Sequence, residues 1–222
     1  MNRKTLSLIW VAALAGTTFA PLSGAATPAT SDGLVSVQSR TLDELYMRPN
    51  VRLSQYQKII VDPAQASLKK NWLKDINAQR DVQRWLVPED AQRVRDEAAT
   101  SLGPVVTEAF KTRGFEVATA PGPGVLRLTP SVTDLYLNAP DTHDPGIQRY
   151  VVRDGGQATL QLEMRDSVTG ELIGRVVDRG TAREIRLNNR ATGVSNLFWF
   201  EAMFREWAGN CAKEFQVAQA SP

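Results

Sequence analysis

Apolar residues return at helical spacing in two stretches of the chain and alternate with polar ones in several others. In the first helical stretch, Val94, Ala98, Leu102, Val105, Ala109 and Phe110 recur at three- and four-residue steps. Pro88 stands at its first turn beside Glu89 and Asp90, where acids complement the helix dipole, and Lys111, Arg113 and Gly114 mark its end. Gly103-Pro104 interrupts it, and proline removes a backbone donor, so a kink or local break is expected near residues 100–104. The second helix is expected at about 195–216. Phe200, Phe204, Trp207, Cys211 and Phe215 step by four, three, four and four, and Ser195 or Asn196 can cap it.

Between and before these helices the pattern reads as strand. "GLVSVQS" (33–39) alternates weakly. "YQKIIVDPAQASL" (56–68) holds a β-branched run, and Pro63 requires that strand to end there or lie on an edge. "FEVAT" (115–119) is short. "VLRLTPSVTDLYL" (125–137) puts Leu126, Leu128 and Val132 in phase but Leu135 and Leu137 out of it, which predicts a bulge near Thr133-Asp134. Residues 147–166 form a long strand with a bend or bulge at Gly155-Gly156. "SVTG" (167–170) is a hairpin turn, and residues 171–185 return. Residues 69–87 are polar, with Trp72 and Trp85 at either end, and read as an irregular connection crossing the surface, with room for a short helical turn. The expected fold is α+β: a mainly antiparallel sheet covered on one face by two helices, a two-layer sandwich over residues 34–217 with a tail at 218–222.

The N-terminus changes where this domain is expected to work. Arg3 and Lys4 precede an uncharged apolar run, Thr5 to Phe19, too short to span a bilayer comfortably. Small residues follow, and cleavage is expected after Ala26, or after Ala25, with residues 27–33 a flexible lead-in. Leu14-Ala15-Gly16 matches the start of a lipoprotein signal, but Thr17 stands where the lipid-accepting cysteine belongs. A threonine hydroxyl is far too weak an acid to replace the thiolate, so no lipid anchor is expected. The expected product is a soluble exported protein of the periplasm.

The charge balance follows from that cut. The full chain has 26 basic and 24 acidic residues; without the leader's Arg3 and Lys4 the remainder is neutral. Nothing in it argues for nucleic acid. A single cysteine rules out an intramolecular disulfide.

The inventory for catalysis is thin. His143 is the only histidine, so a nucleophilic triad has one candidate base. Cys211 falls on the apolar stripe of the last helix and reads as a small core hydrophobe. Asp141, His143 and Asp144 could ligate a metal, but Asp, Pro and Gly together are what a tight turn needs, and the turn is the plainer reading. "APGPG" lacks the Lys-Ser/Thr end of a phosphate loop. No catalytic, cofactor or metal residue is therefore assigned. The candidates for partner contact are aromatic. Trp72 and Trp85 flank the polar connection, and Trp199 with Met203 makes a second strip on the last helix, which is either buried or meets a partner.

Several stretches resemble the bacterial family called domain of unknown function 3313. They are "RTLDELYMRP" (40–49), "YQKIIVDPAQASLKKNW" (56–72), "APGPGVLRLTPSVTDLYLNAPD" (120–141) and "DSVTGELIGRVVDR" (166–179), and the similarity runs over about residues 32–215. The resemblance implies an exported lipoprotein of Gram-negative bacteria and outer-membrane association, from which Thr17 departs. It implies no activity. The expected role is a non-catalytic accessory or binding protein whose partner is another envelope protein. The alternatives are a carboxylate-dependent envelope hydrolase, which needs two acids facing each other in a cleft, and a small-ligand carrier with an apolar pocket.

Overall fold

The computed structural model describes residue 30 and residues 32–138, 154–183 and 196–220. Within them the order is β1 (Val35–Val37), β2 (Glu44–Met47), β3 (Lys58–Val61), β4 (Gln65–Leu68), α1 (Trp72–Asn77), α2 (Pro88–Lys111), β5 (Glu116–Val117), β6 (Val125–Leu137), β7 (Asp154–Asp166), β8 (Leu172–Arg183) and α3 (Asn196–Ala220). The fold is α+β. The sheet runs β1-β2-β8-β7-β6-β3-β5, with β4 also paired to β6.

The sheet is mixed, which the strand pattern does not reveal. β1–β2, β2–β8, β6–β7 and β7–β8 are antiparallel, whereas β3–β5, β3–β6 and β4–β6 are parallel. The cause is α2. A helix between β4 and β6 carries the chain back to the end it left, so the next strand starts in the same direction. Pro63 stops β3 as expected, and the chain resumes two residues later as β4.

The bulge expected in β6 is present and has a clear purpose. Register is lost between Thr133 and Tyr136, and Asp134 adopts φ 51°. Strict alternation from Val132 would turn Asp134 and Tyr136 inward. The extra residue resets the phase, so that Leu126, Leu128, Val132, Leu135 and Leu137 are all buried. Opposite it, β7 shifts register between Asp154 and Gly156, and Gly156 has φ 134°. That conformation and the close approach of the Tyr136 carbonyl leave room for no Cβ.

The two long helices supply most of the aromatic core. α3 buries Phe200, Phe204, Trp207, Cys211 and Phe215, the stripe read from the sequence. α2 buries Ala91, Val94, Ala98, Leu102, Val106 and Phe110. α2 packs on β3, β4, β5 and β6, α3 on β7 and β8, and the helices on each other. Phe110, Phe115 and Phe215 close one end as a ring cluster, with centroids 5.4 to 6.3 Å apart. Each such ring removed from water contributes roughly 1.5–3 kcal/mol.

Three expectations are corrected here. α2 is continuous through Pro104 and is not broken. The residue before a proline is normally pushed out of the helical region by its own Cβ, and Gly103 has none. The Thr107 hydroxyl also donates to the Gly103 carbonyl at 2.9 Å. Second, residues 69–87 hold the short helical turn allowed there but are more ordered than an irregular crossing. They contain α1, which buries Trp72 and Ile76 one turn apart, and a 3-10 turn at Val82–Arg84. Third, α3 does not stop before a tail at 218. It runs to Ala220, and the Gln219 amide donates to the carbonyls of Leu53 and Tyr56 at 3.0 and 2.8 Å.

Candidate functional site

Trp72, Trp85 and Met203, the candidates whose side chains are described, occupy different surroundings. Trp72 is 1% exposed, and its indole N–H donates to the Leu137 carbonyl at 3.0 Å. It locks α1 to the end of β6 and is withdrawn as a contact residue; its ring is core. Met203 is half-buried, and its sulfur fills the space that Gly180 leaves by having no Cβ. The side chain of Trp199 lies outside the described residues, as do Ala26 and the Asp141-His143-Asp144 turn. Of the candidates whose side chains are described, Trp85 alone is outward, at 53% exposure. Val82 and Val87 flank it at 70% and 49%, while Leu86 between them is buried.

That knuckle is built rigidly. The Asn77 side chain donates to the Leu86 carbonyl at 2.9 Å and accepts from the Leu86 N–H at 2.8 Å, tying the end of α1 to the loop. The Trp85 backbone N–H donates to the Val82 carbonyl at 3.3 Å, and its indole N–H to the Arg80 carbonyl at 3.3 Å. At the other side, Asp90 accepts from the Val87 N–H at 2.9 Å and starts α2. The three apolar side chains thus stand out from a short, fully tethered segment.

The segments that carry the family resemblance meet at one end of the sheet and form a clasp. Asp166 accepts from the N–H groups of Val168 and Thr169 at 2.9 and 2.8 Å, from the Thr169 hydroxyl at 3.1 Å and from the Tyr56 hydroxyl at 3.1 Å. These donors, Thr169 N–H first, hold its carboxyl below the usual range against the opposing effect of burial. Burial, and then the bond to Asp166, pushes the Tyr56 phenol up to about 12. Ser167 exchanges hydrogen bonds with the backbone of Gly122 at 3.0 and 3.1 Å, which pins the "APGPG" turn. Arg48 reaches across to the Leu172 carbonyl at 2.6 Å and to Glu171 at 3.2 Å. The donors and acceptors here satisfy one another, which is the signature of a structural joint.

Two acidic places bear on catalysis. Asp178 lies on the core-facing side of β8, paired with Leu160 and two residues from the buried Val176. Its Oδ1 accepts from the Asp43 N–H at 3.2 Å, and Asp43 in turn accepts from the Arg179 N–H at 3.0 Å. Burial first, with the neighbouring charges of Asp43 and Glu206, raises the Asp178 carboxyl above its ordinary value. The pair is missed by composition, but an acid in step with Val176 on an alternating strand is the signal that betrays it. Separately, a groove of about 640 Å³ runs along α2, where Glu89, Gln92, Arg93, Asp96, Glu97, Thr100 and Ser101 meet Glu201 of α3. Glu201 is engaged by Arg205 at 3.0 Å.

The single thiol is out of reach. Cys211 is buried in the core, and that burial pushes its thiol well above the usual range. Among the described residues, no three or more His, Cys, Asp or Glu side chains converge as a metal cluster. Among them also, no helix is long and apolar enough to cross a membrane.

Comparison with known proteins bears on ancestry. Residues 25–211 match the family described as "Protein of unknown function (DUF3313)". The chain belongs to this family. No curated protein matches this DUF3313 chain. Among solved structures, it is similar to a variant of the PelC dodecamer from Paraburkholderia phytofirmans, at 10% identity over 78% of this chain and 97% of that one, TM-score 0.42. It is similar to a putative neuraminyllactose-binding hemagglutinin homolog from Helicobacter pylori, at 13% identity over 75% and 91%, TM-score 0.35. A DUF4136 family protein from Bacteroides thetaiotaomicron matches at 10% identity over 85% and 97%, TM-score 0.32. At these levels the likenesses assign neither activity nor assembly.

Proposed function

We propose that this DUF3313 protein is a non-catalytic accessory or binding protein of the bacterial envelope, exported by a leader cleaved after Ala26 and free of a lipid anchor. Its two long helices act as a cover over one face of the sheet, and its work is done by contact. One observation carries the reading. Among the described residues, Cys211 is committed to the core, Asp166 to four donors and Trp72 to the β6 carbonyl, whereas Trp85 is presented outward on a braced loop. Binding surfaces favour such rigid aromatic side chains, because little freedom is lost when a partner covers them.

The test is fractionation with N-terminal sequencing, followed by capture from the envelope fraction. The expected mature protein begins at Thr27, lies outside the cytoplasm and retains an envelope protein on affinity purification. Intact leader on cytosolic protein, or an unaccompanied chain whose deletion leaves the envelope unchanged, overturns the proposal.

A further inference from the structure

The first two strands form an arm that joins the rest of the sheet along one edge. β1 pairs with β2, and β2 pairs in turn with β8, from Glu44–Val177 to Met47–Gly174. Further ties run the same way. Asp32 meets Arg175 at 2.9 Å and Glu44 meets Arg179 at 3.0 Å. The Asp43 N–H donates to Asp178 at 3.2 Å, the Thr41 hydroxyl to Glu214 at 2.9 Å and the Arg48 N–H to the Ile173 carbonyl at 2.8 Å. Each of these partners lies on β8 or α3. The arm also buries Leu34, Leu42, Leu45 and Met47. Without it, the body would show an open sheet edge beside apolar side chains, a seat that calls for a strand.

A short turn joins the arm to the body. Pro49 and Asn50 make it, both are exposed, and Asn50 has φ 62°. The body takes hold again at Leu53, whose carbonyl accepts from the Gln219 amide at 3.0 Å. Left-handed backbone is disfavoured for a residue with a side chain, and extending the turn relieves it. Short hinges under strain invite exchange of the element they carry. Extended, residues 49–52 reach about 13 Å, enough to pass the arm to a neighbour. Two copies that trade arms keep every contact named above and leave no seat empty, so the assembly closes at two.

We infer that residues 32–48 are an exchangeable arm, and that the β8 edge of one copy accepts β2 of a second copy of this chain. The opposing effect sets when this happens. The arm of the same copy is present at an effective concentration of about 1 mM, so a body that folds alone closes on itself. Two bodies folding side by side offer both seats before either arm is placed, and the ladder then traps the arrangement. The inference goes beyond the accessory role, because it names a second copy as the partner of this edge, and capture from the envelope does not read it.

The experiment uses the full chain carrying Leu8→Asp and Ile9→Asp, so that the leader's apolar run does not itself associate, and Cys211→Ala, so that no native thiol remains. One version adds Glu44→Cys and the other Val177→Cys, which are register partners at disulfide distance only when β2 sits on β8. The two are unfolded in urea, mixed, refolded together at about 0.1 mM and oxidised. Expected is a covalent heterodimer on a non-reducing gel. It should be absent when the two are refolded apart and mixed afterwards, and absent when Thr100→Cys replaces Val177→Cys. Asn50→Gly in both chains should lower its yield about fivefold, since glycine removes the strain of the closed turn. Deleting Asn50, which leaves the turn too short to fold back, should make the exchanged form predominate. A chain carrying both cysteines should close within itself when refolded dilute, which verifies the pair. If that chain closes and the co-refolded mixture yields no heterodimer, the inference is overturned. It is overturned equally if the double-cysteine chain fails to close, or if the heterodimer forms as well with Thr100→Cys or after separate refolding.

Discussion

Replacing Gly156 by alanine tests the bulge geometry most sharply. Two effects add. A φ of 134° lies where only glycine is comfortable, and forcing an L-residue there costs about 1–3 kcal/mol. The new Cβ would also land on the Tyr136 carbonyl oxygen, with the Tyr136 carbonyl carbon at 2.8 Å and the Leu137 Cα at 3.0 Å. These are backbone atoms of the neighbouring strand and cannot rotate away. Relief requires β7 to draw back from β6, which disrupts the pairing at Leu137–Gly156 and Tyr136–Gln157, at about 1 kcal/mol per hydrogen bond lost. The sum is about 4 kcal/mol, a large part of the 5–15 kcal/mol that holds a typical domain. Gly170→Ala is the matched control. Gly170 has φ 73°, and beyond its chain neighbours no atom lies within 4 Å of where a methyl would stand, so it should lose only about 1–2 kcal/mol. Urea unfolding followed by dichroism and tryptophan fluorescence separates them. At a slope near 2 kcal/mol/M, the Gly156 variant should melt roughly 1 M or more below the Gly170 variant. Equal midpoints for the two would refute the reasoning, because they would mean that the β6–β7 contact is looser than described.

Three further outcomes are expected. Trp72→Phe leaves the buried Leu137 carbonyl without its donor and should cost about 1–3 kcal/mol in urea unfolding, whereas Trp85→Phe should stay within about 0.5 kcal/mol. Asp178→Asn should stabilise the fold at pH 7: the folded carboxyl sits above its unfolded value, so stability is lost as pH rises through that window, and the advantage of Asn should shrink as pH is lowered toward 4. Cys211 should resist a thiol reagent in the folded protein even at pH 9 and react fully in denaturant; prompt labelling of the native chain would contradict its placement.

The parts of the fold that were legible in the sequence are those whose burial repeats. The α3 stripe spans five residues at helical spacing, and the β6 phase slip at Thr133-Asp134 can be read from which leucines fall out of step. β2 is harder, because Glu44–Met47 is four residues long and its two inward positions, Leu45 and Met47, make no periodic signal. α1 is hidden in the same way: Trp72 and Ile76 are a single step, surrounded by lysines and acids. The parallel pairing of β3 with β6 is a relation between distant segments that no local pattern encodes. As for the site, Trp72 stands among Lys70, Asn71 and Lys74 and Trp85 among Val82, Leu86 and Val87, so local polarity would bury the wrong ring. What separates them is a carbonyl at the far end of β6, brought near only by the fold.

The β2–β8 ladder joins Glu44 to Val177, so one of the first strands made has its neighbour only after nearly the whole chain has emerged. β1 hangs from β2, and α2 finds its helical companion in the last segment of all. Contacts of such long sequence separation form late. During synthesis β1 and β2 therefore cannot take their place in the sheet until β8 has been made. A circular permutant that carried β1 and β2 directly after β8 would turn that late pairing into a local one.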